Sequence, residues 1–337
     1  MAPRPEAAST DMPAVEAKKA TTALQLNNLR KAIPEDAFKK NALKSAWFMV
    51  FDYAVWGGAL FAIHTLRHSA MWATLPVWQQ WAATLVFWNI SGFYMWCIFV
   101  VGHDCGHGTF SDSETLNDVV GHITHGSIMV PFYPWQLSHR RHHMYHNHIE
   151  KDYSHPWYTP DRLQRPDEGL ARMMHGFGLG SVLRLLFPFY GWFIYLYGMP
   201  DGSHFVPLAQ QRMWAESVSE EYTKCIISSV NCAAWAAGIY YACGCDIAAV
   251  GYYYVAPWFL LSWWLVSVTY LQHHDPETLV YGDEDWKFVD AAFETVDRKY
   301  GFGIDYLHHH ITDGHVAHHL FFTKVAESAN PGPMMMN

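Results

Sequence analysis

Residues 81–107 read WAATLVFWNISGFYMWCIFVVGHDCGH, and this stretch decides the fold. Positions 81–101 carry no charge. As a helix they would measure about 31 Å at about 1.5 Å per residue, enough to cross a hydrocarbon core about 30 Å thick. Three further segments match it. Residues 46–63 hold a single charge, Asp52, while 225–243 and 247–271 hold none. A soluble core helix could be this apolar once, but four such segments are hard to hide inside 337 residues. Backbone groups in lipid must be satisfied within the segment, so each is expected to be a helix. Only Gly244, Cys245 and Asp246 separate the last two, which therefore form an antiparallel pair.

The expected architecture is an all-α integral membrane fold with four transmembrane helices, at about 46–63, 81–101, 225–243 and 247–271. A fifth apolar stretch, 185–199, is short, contains Pro188 and is rich in Phe and Tyr, which fits an interfacial or re-entrant segment better than a span. Charge supports this choice. With 185–199 not crossing, every Lys and Arg except Arg67 faces one side, and the positive-inside rule makes that side cytosolic. Both termini then lie in the cytosol.

Composition agrees once it is resolved along the chain. Hydrophobic residues make up 51%, aromatic residues 16% and charged residues 16%, yet the mean hydropathy is only −0.05. The 22 histidines pull the average down. A net charge of −9 argues against nucleic acid as a partner. Six cysteines show neither zinc nor disulfide-framework spacing. Residues 1–26 lack an apolar core and read as a disordered tail instead of a signal peptide.

The same topology puts every histidine except His64 and His68 on the cytosolic side. Three clusters stand out: His103 and His107 directly after the second apolar segment; His139, His142 and His143; and His315, His318 and His319 beyond the fourth. The i, i+3, i+4 spacing of the later two places their side chains on one helical face. A lone histidine is usually a surface or core residue, but eight from three elements could ligate two metal ions and leave positions open. Imidazole suits zinc, copper, nickel and iron alike, so spacing does not name the metal. A closed structural zinc site needs only four ligands, so eight point to chemistry.

HDCGH, HRRHH and HVAHH resemble the three histidine boxes of membrane fatty acid desaturases. The resemblance runs from LNNLRKAIPEDAF to HHLFFTK, ending at Lys324, and defines an expected domain over 27–324. GHDCGHGTFSDSETLND, VPFYPWQLSHRRHHMYHNHIEKD, YLQHHDPE and TVDRKYGFGIDYLHHHITDGHVAHHLFF are similar to the methyl-end branch, the delta-12 and omega-3 acyl desaturases. His315 in place of Gln, and no cytochrome b5 domain before the first span, separate the chain from front-end relatives.

The resemblance implies a cytosolic helical cap holding a di-iron site. That site would activate O2 and remove two hydrogens from adjacent methylenes of a fatty acyl lipid or acyl-CoA. It implies further ligation beyond the boxes, for which His273 and His309 are candidates, and partners that orient the ligands, for which Asp104, Asp152 and Asp313 are candidates. His122, His125, His146, His148, His155 and His274 are expected to be bystanders or supports. No bound flavin or haem is expected, since no dinucleotide fingerprint is present. Electrons would come from cytochrome b5 and its reductase in the endoplasmic reticulum. Glu6, Asp11 and Glu16 make the N-terminus a poor plastid transit peptide.

The resemblance breaks after HHLFFTK. The family continues with Ile-Pro-His-Tyr and a further helical region, whereas 325–337 read VAESANPGPMMMN. A C-terminally truncated form, weak or inactive unless another element closes the site, is the expectation. Competing readings are a di-iron hydroxylase or acetylenase, an inactive isoform acting through dimerisation, and a His-rich metal transporter. A transporter would need ionisable residues along a path inside its spans, and three of the four have none.

Overall fold

The computed structural model describes residues 22, 24–152, 154, 179–198, 202–215 and 217–322. The expectations for most of 1–26, for 325–337 and for His155 lie outside them. The described residues are helical, with no strand and only an isolated bridge between His148 and Tyr281.

Four helices are long and apolar enough to cross a membrane: α1 (Ala42–Arg67), α2 (Val77–Gly106), α6 (Ser219–Ala242) and α7 (Ile247–His273). Three of them contain the whole expected apolar stretch and extend beyond it, while α6 starts six residues before its stretch and ends at Ala242, with Cys243 as its cap. Asn41 caps α1 by accepting from the Lys44 amide at 3.0 Å. Gly244 and Cys245, both with positive φ, make the tight turn from α6 to α7. The outward faces remain apolar, with Leu43, Trp47 and Phe61 on α1 and Trp81, Leu85 and Val86 on α2 all exposed. Apolar surface on that scale marks contact with lipid.

Helix α2 is the central post. Met95, Trp96, Cys97, Ile98 and Val100 are buried among α1 and α7. Gly92 lets α2 and α7 meet closely, since a Cβ there would fall 2.5 Å from Leu260 Cβ. Near its start α7 contains a π-helical turn, Gly251–Val255. Such a turn breaks the regular hydrogen-bond ladder, and here the Tyr252 carbonyl accepts from Trp88 Nε1 at 2.9 Å. Arg67 lies 3.8 Å over the Tyr252 ring, so the far ends of α1 and α7 meet there.

The segment between the second and third spans does more than cover the membrane surface. Helices α3 (Glu114–Ser127) and α4 (Phe132–Tyr145) form a hairpin that dips among the spans. Its turn is met at mid-span depth. Tyr254 and Trp258 of α7 donate to the carbonyls of Ser127 and Ile128, both at 2.9 Å. Tyr53 of α1 reaches Ser127 Oγ at 2.8 Å, and Asn231 of α6 donates to the His122 carbonyl at 2.8 Å. Irregular backbone at this depth is tolerated where protein supplies its partners. The outward stripe of α3, Leu116, Val119 and Ile123, is exposed and apolar.

The 185–199 stretch falls mostly within α5 (Leu179–Tyr197). This helix packs along α7, where Ser262 Oγ donates to the Pro188 carbonyl at 2.8 Å and accepts from the Trp192 amide at 3.4 Å. The Ser262 hydroxyl is thus inserted into a helical hydrogen bond next to the proline.

Candidate metal centre

The three boxes arrive on three differently built elements. Helix α2 continues past the apolar stretch, so His103 lies in its last turn and His107 follows as its cap. The second box rides on α4, the returning arm of the hairpin. The third forms α8 (His315–Leu320), only six residues long. Asp297 Oδ1 accepts from the Val316 amide at 2.9 Å and so fixes the start of α8.

These elements bring nine histidines together in two adjoining groups. His103, His107, His139, His143 and His318 have ligand nitrogens within 4.8 Å of one another. His142, His273 and His319 form the second group on the same criterion. His315 joins it, with Nε2 3.1 Å from His273 Nε2. The groups share a wall where the rings of His143 and His319 stack at 4.1 Å.

The eight box histidines and His273 therefore converge. His309 does not: it stands against Asp52 of α1, 2.8 Å from it, as a sharp turn before α8 carries it away. Among the carboxylates, Asp152 accepts a hydrogen bond from His142 Nδ1, with both oxygens at 3.0 Å, and Asp104 meets His103 Nδ1 at 3.2 Å. Asp313 does not reach a box residue, because it bonds the exposed His310 at 3.1 Å, one turn away on its own loop.

Burial sets the protonation of the cluster. It drives His139, His143, His318 and His319 well below the ordinary imidazole range, and their neighbouring histidines push the same way. His107 is lowered likewise, and burial brings His142 down to about 3. Neutral imidazoles are the form that ligates a metal.

The donor set fits metal ions on geometric grounds. Ring nitrogens face one another across 3.2 Å in His103–His107, 3.1 Å in His139–His143 and 3.2 Å in His142–His273. Among the described residues, Nε2 of His318 and both nitrogens of His319 are buried without a hydrogen-bond partner. Buried polar atoms are rarely left this way. A single proton can serve one facing pair, whereas a cation attracts every lone pair around it.

Partners that hold a ligand ring typically change metal affinity ten- to a hundredfold. Asp152→Ala is expected to weaken metal binding by roughly that range, and Asp313→Ala to leave it unchanged. Chelator competition on purified protein would measure both.

Residues beyond the boxes complete the surroundings. His146 lies against His319, ring centres 5.1 Å apart, and burial lowers it to about 4. Trp135 stacks on His139 at 4.6 Å. Nothing in the spacing of Trp135 or Asp297 marked them, since both act through tertiary contact. A cavity of about 460 Å³ opens beside His107. Its walls include Phe48, Val101, Phe110 and Phe321 together with Arg30, Lys39, Lys40 and Lys44.

Residues 76–324 match the family described as fatty acid desaturase. The chain is 39% identical over 299 residues to the Delta(12) fatty acid desaturase of Caenorhabditis elegans, covering 88% of this chain and 74% of that protein. It is 37% identical over 311 residues to the omega-3 fatty acid desaturase of the same organism, covering 88% and 68%. An acyl-lipid omega-3 desaturase (cytochrome b5) of the Arabidopsis thaliana endoplasmic reticulum is 33% identical over 304 residues, covering 88% and 72%. With the matched region containing all three histidine clusters and three of the four apolar helices, this chain belongs to the fatty acid desaturase family.

Proposed function

We propose that the protein is a methyl-end acyl desaturase, introducing a cis double bond at the omega-3 or delta-12 position. Its nine converging histidines would hold two iron ions. The observation that carries this reading is the pair of adjoining histidine groups at one end of α2, α4 and α7. Delta-12 and omega-3 relatives support it over a hydroxylase, an acetylenase or a metal transporter.

An unactivated C–H bond is beyond the reach of a side-chain acid or base, so bound iron would supply the oxidising power with O2 as co-substrate. The remaining work belongs to the chain. Burial favours the neutral form of His107, His139, His142, His143, His318 and His319, and Asp152 and Asp104 hold His142 and His103 by Nδ1 so that Nε2 faces the centre. The cavity beside His107 offers aromatic walls to an acyl chain and four cations to an anionic carrier, whether phospholipid or coenzyme A.

Electrons would come from cytochrome b5 and its reductase, a reading supported by the Arabidopsis relative, a cytochrome b5 desaturase. The basic side of the spans, with both termini and the histidine boxes, would face the cytosol, in the endoplasmic reticulum.

Feeding oleate and linoleate separately to yeast expressing the chain tests this directly. A new double bond in one of the two fatty acids, located by mass spectrometry of derivatised esters, is the expected result. A hydroxylated or triple-bonded product would overturn the desaturase assignment.

A further inference from the structure

Asp52 is the one charge within the apolar stretch of α1, and it is only 1% exposed. A carboxylate in that position is costly unless something meets it. His309 meets it, donating from Nε2 to Asp52 Oδ2 at 2.8 Å across 257 positions of sequence. Phe48 packs on the His309 ring at 4.6 Å, and Cys97 of α2 lies in the same small group.

His309 belongs to the strap, residues 304–314, that leads into α8. His309 and His310 both adopt left-handed backbone, with φ of 56° and 63°. For residues other than glycine such backbone is unfavourable and persists only where the surroundings hold it. The strap is held from two other directions, Gln272 Nε2 donating to the Ile311 carbonyl at 2.7 Å and the Arg298 amide to the Thr312 carbonyl at 2.8 Å, and it is braced within itself where Thr312 Oγ1 donates to Asp305 at 2.9 Å. Asp52 supplies the hold from the first span. Helix α8 has fewer than two turns, too short to be stable by itself, so His315, His318 and His319 stand where the strap delivers them.

We propose that Asp52 is a positioning residue for the metal centre: through His309 it fastens the strap to α1 and sets where the third histidine box stands. This rests on reading the histidine groups as a metal centre. It gives the intramembrane carboxylate a role, and it makes His309 a fastening and not a ligand.

The test uses the purified full chain in nanodiscs, with iron per chain and chelator-competition affinity as readouts. Asp52→Leu removes the hydrogen bond while suiting the membrane. His309→Asn suits left-handed backbone but is shorter. Each should lower iron affinity roughly tenfold, and the double variant should lose no more than either alone, as expected of two residues acting through one contact. Asp52→Asn, which can still accept the hydrogen bond, should bind iron like the wild type. Should Asp52→Leu fail to give folded protein, His309→Asn and its combination with Asp52→Asn carry the comparison.

Full iron affinity in Asp52→Leu together with loss in His309→Asn would make His309 a ligand and overturn the proposal. Additive losses in the double variant would also overturn it. So would a third equivalent of metal that disappears with Asp52. His142→Ala separates the two readings: unchanged iron in that variant rejects the metal centre itself, whereas its loss beside unaffected Asp52 variants rejects only the fastening.

Discussion

Replacing either His142 or His318 with alanine is expected to abolish iron loading and desaturation together. His142 is buried, its Nδ1 donates a hydrogen bond to Asp152, and its Nε2 faces His273 at 3.2 Å. Alanine therefore removes a proposed ligand and the imidazole that the carboxylate orients. His318 packs against His103, His107 and His143, with ring centres 4.7, 4.7 and 4.5 Å away. Its loss opens the middle of the five-histidine group. Iron per purified chain and fatty acid products in yeast are the measurements. Full activity in either variant would sink the ligand assignment.

His273→Ala should be as damaging, although His273 lies outside every box. It ends α7, and its Nε2 stands 3.2 Å from His142 Nε2 and 3.1 Å from His315 Nε2. No other residue links the second and third boxes from the membrane side in this way among the described residues. The control is the next residue. His274 stacks on Tyr270 of its own helix at 4.2 Å, away from both groups, so His274→Ala should retain desaturation. Equal loss in both variants would mean that the end of α7, and not the His273 ring, matters.

The contrast between these neighbours shows where sequence reading stops. Spans were legible because lipid demands long uncharged segments, and the boxes because i, i+3, i+4 spacing aligns side chains whatever the fold around them. His273 has no such spacing, and only the end point of α7 brings it between two boxes. His309 misled for the opposite reason: it is near the third box in sequence, but two left-handed residues turn the chain at that point. Asp313 likewise was close in sequence and spent on His310.

The α3–α4 hairpin escaped the hydropathy argument altogether. Its residues include Asn117, Thr124, His125 and Ser127, all buried against protein instead of lipid. A segment wrapped by other helices has no need to be apolar throughout, so no uncharged run of span length announces it.

That hairpin also imposes an order on biogenesis. Its turn exposes the carbonyls of Ser127 and Ile128, and their donors, Tyr254 and Trp258, are synthesised more than a hundred residues later. Until the last span enters the bilayer, these carbonyls have no route to satisfaction inside lipid. The hairpin is therefore expected to sink into place only after α7 arrives. The second histidine box rides on its returning arm, so the centre cannot be assembled progressively as the chain emerges. Metal insertion would then be a late event, and nascent chains stalled before residue 254 are expected to carry the first two boxes without binding iron.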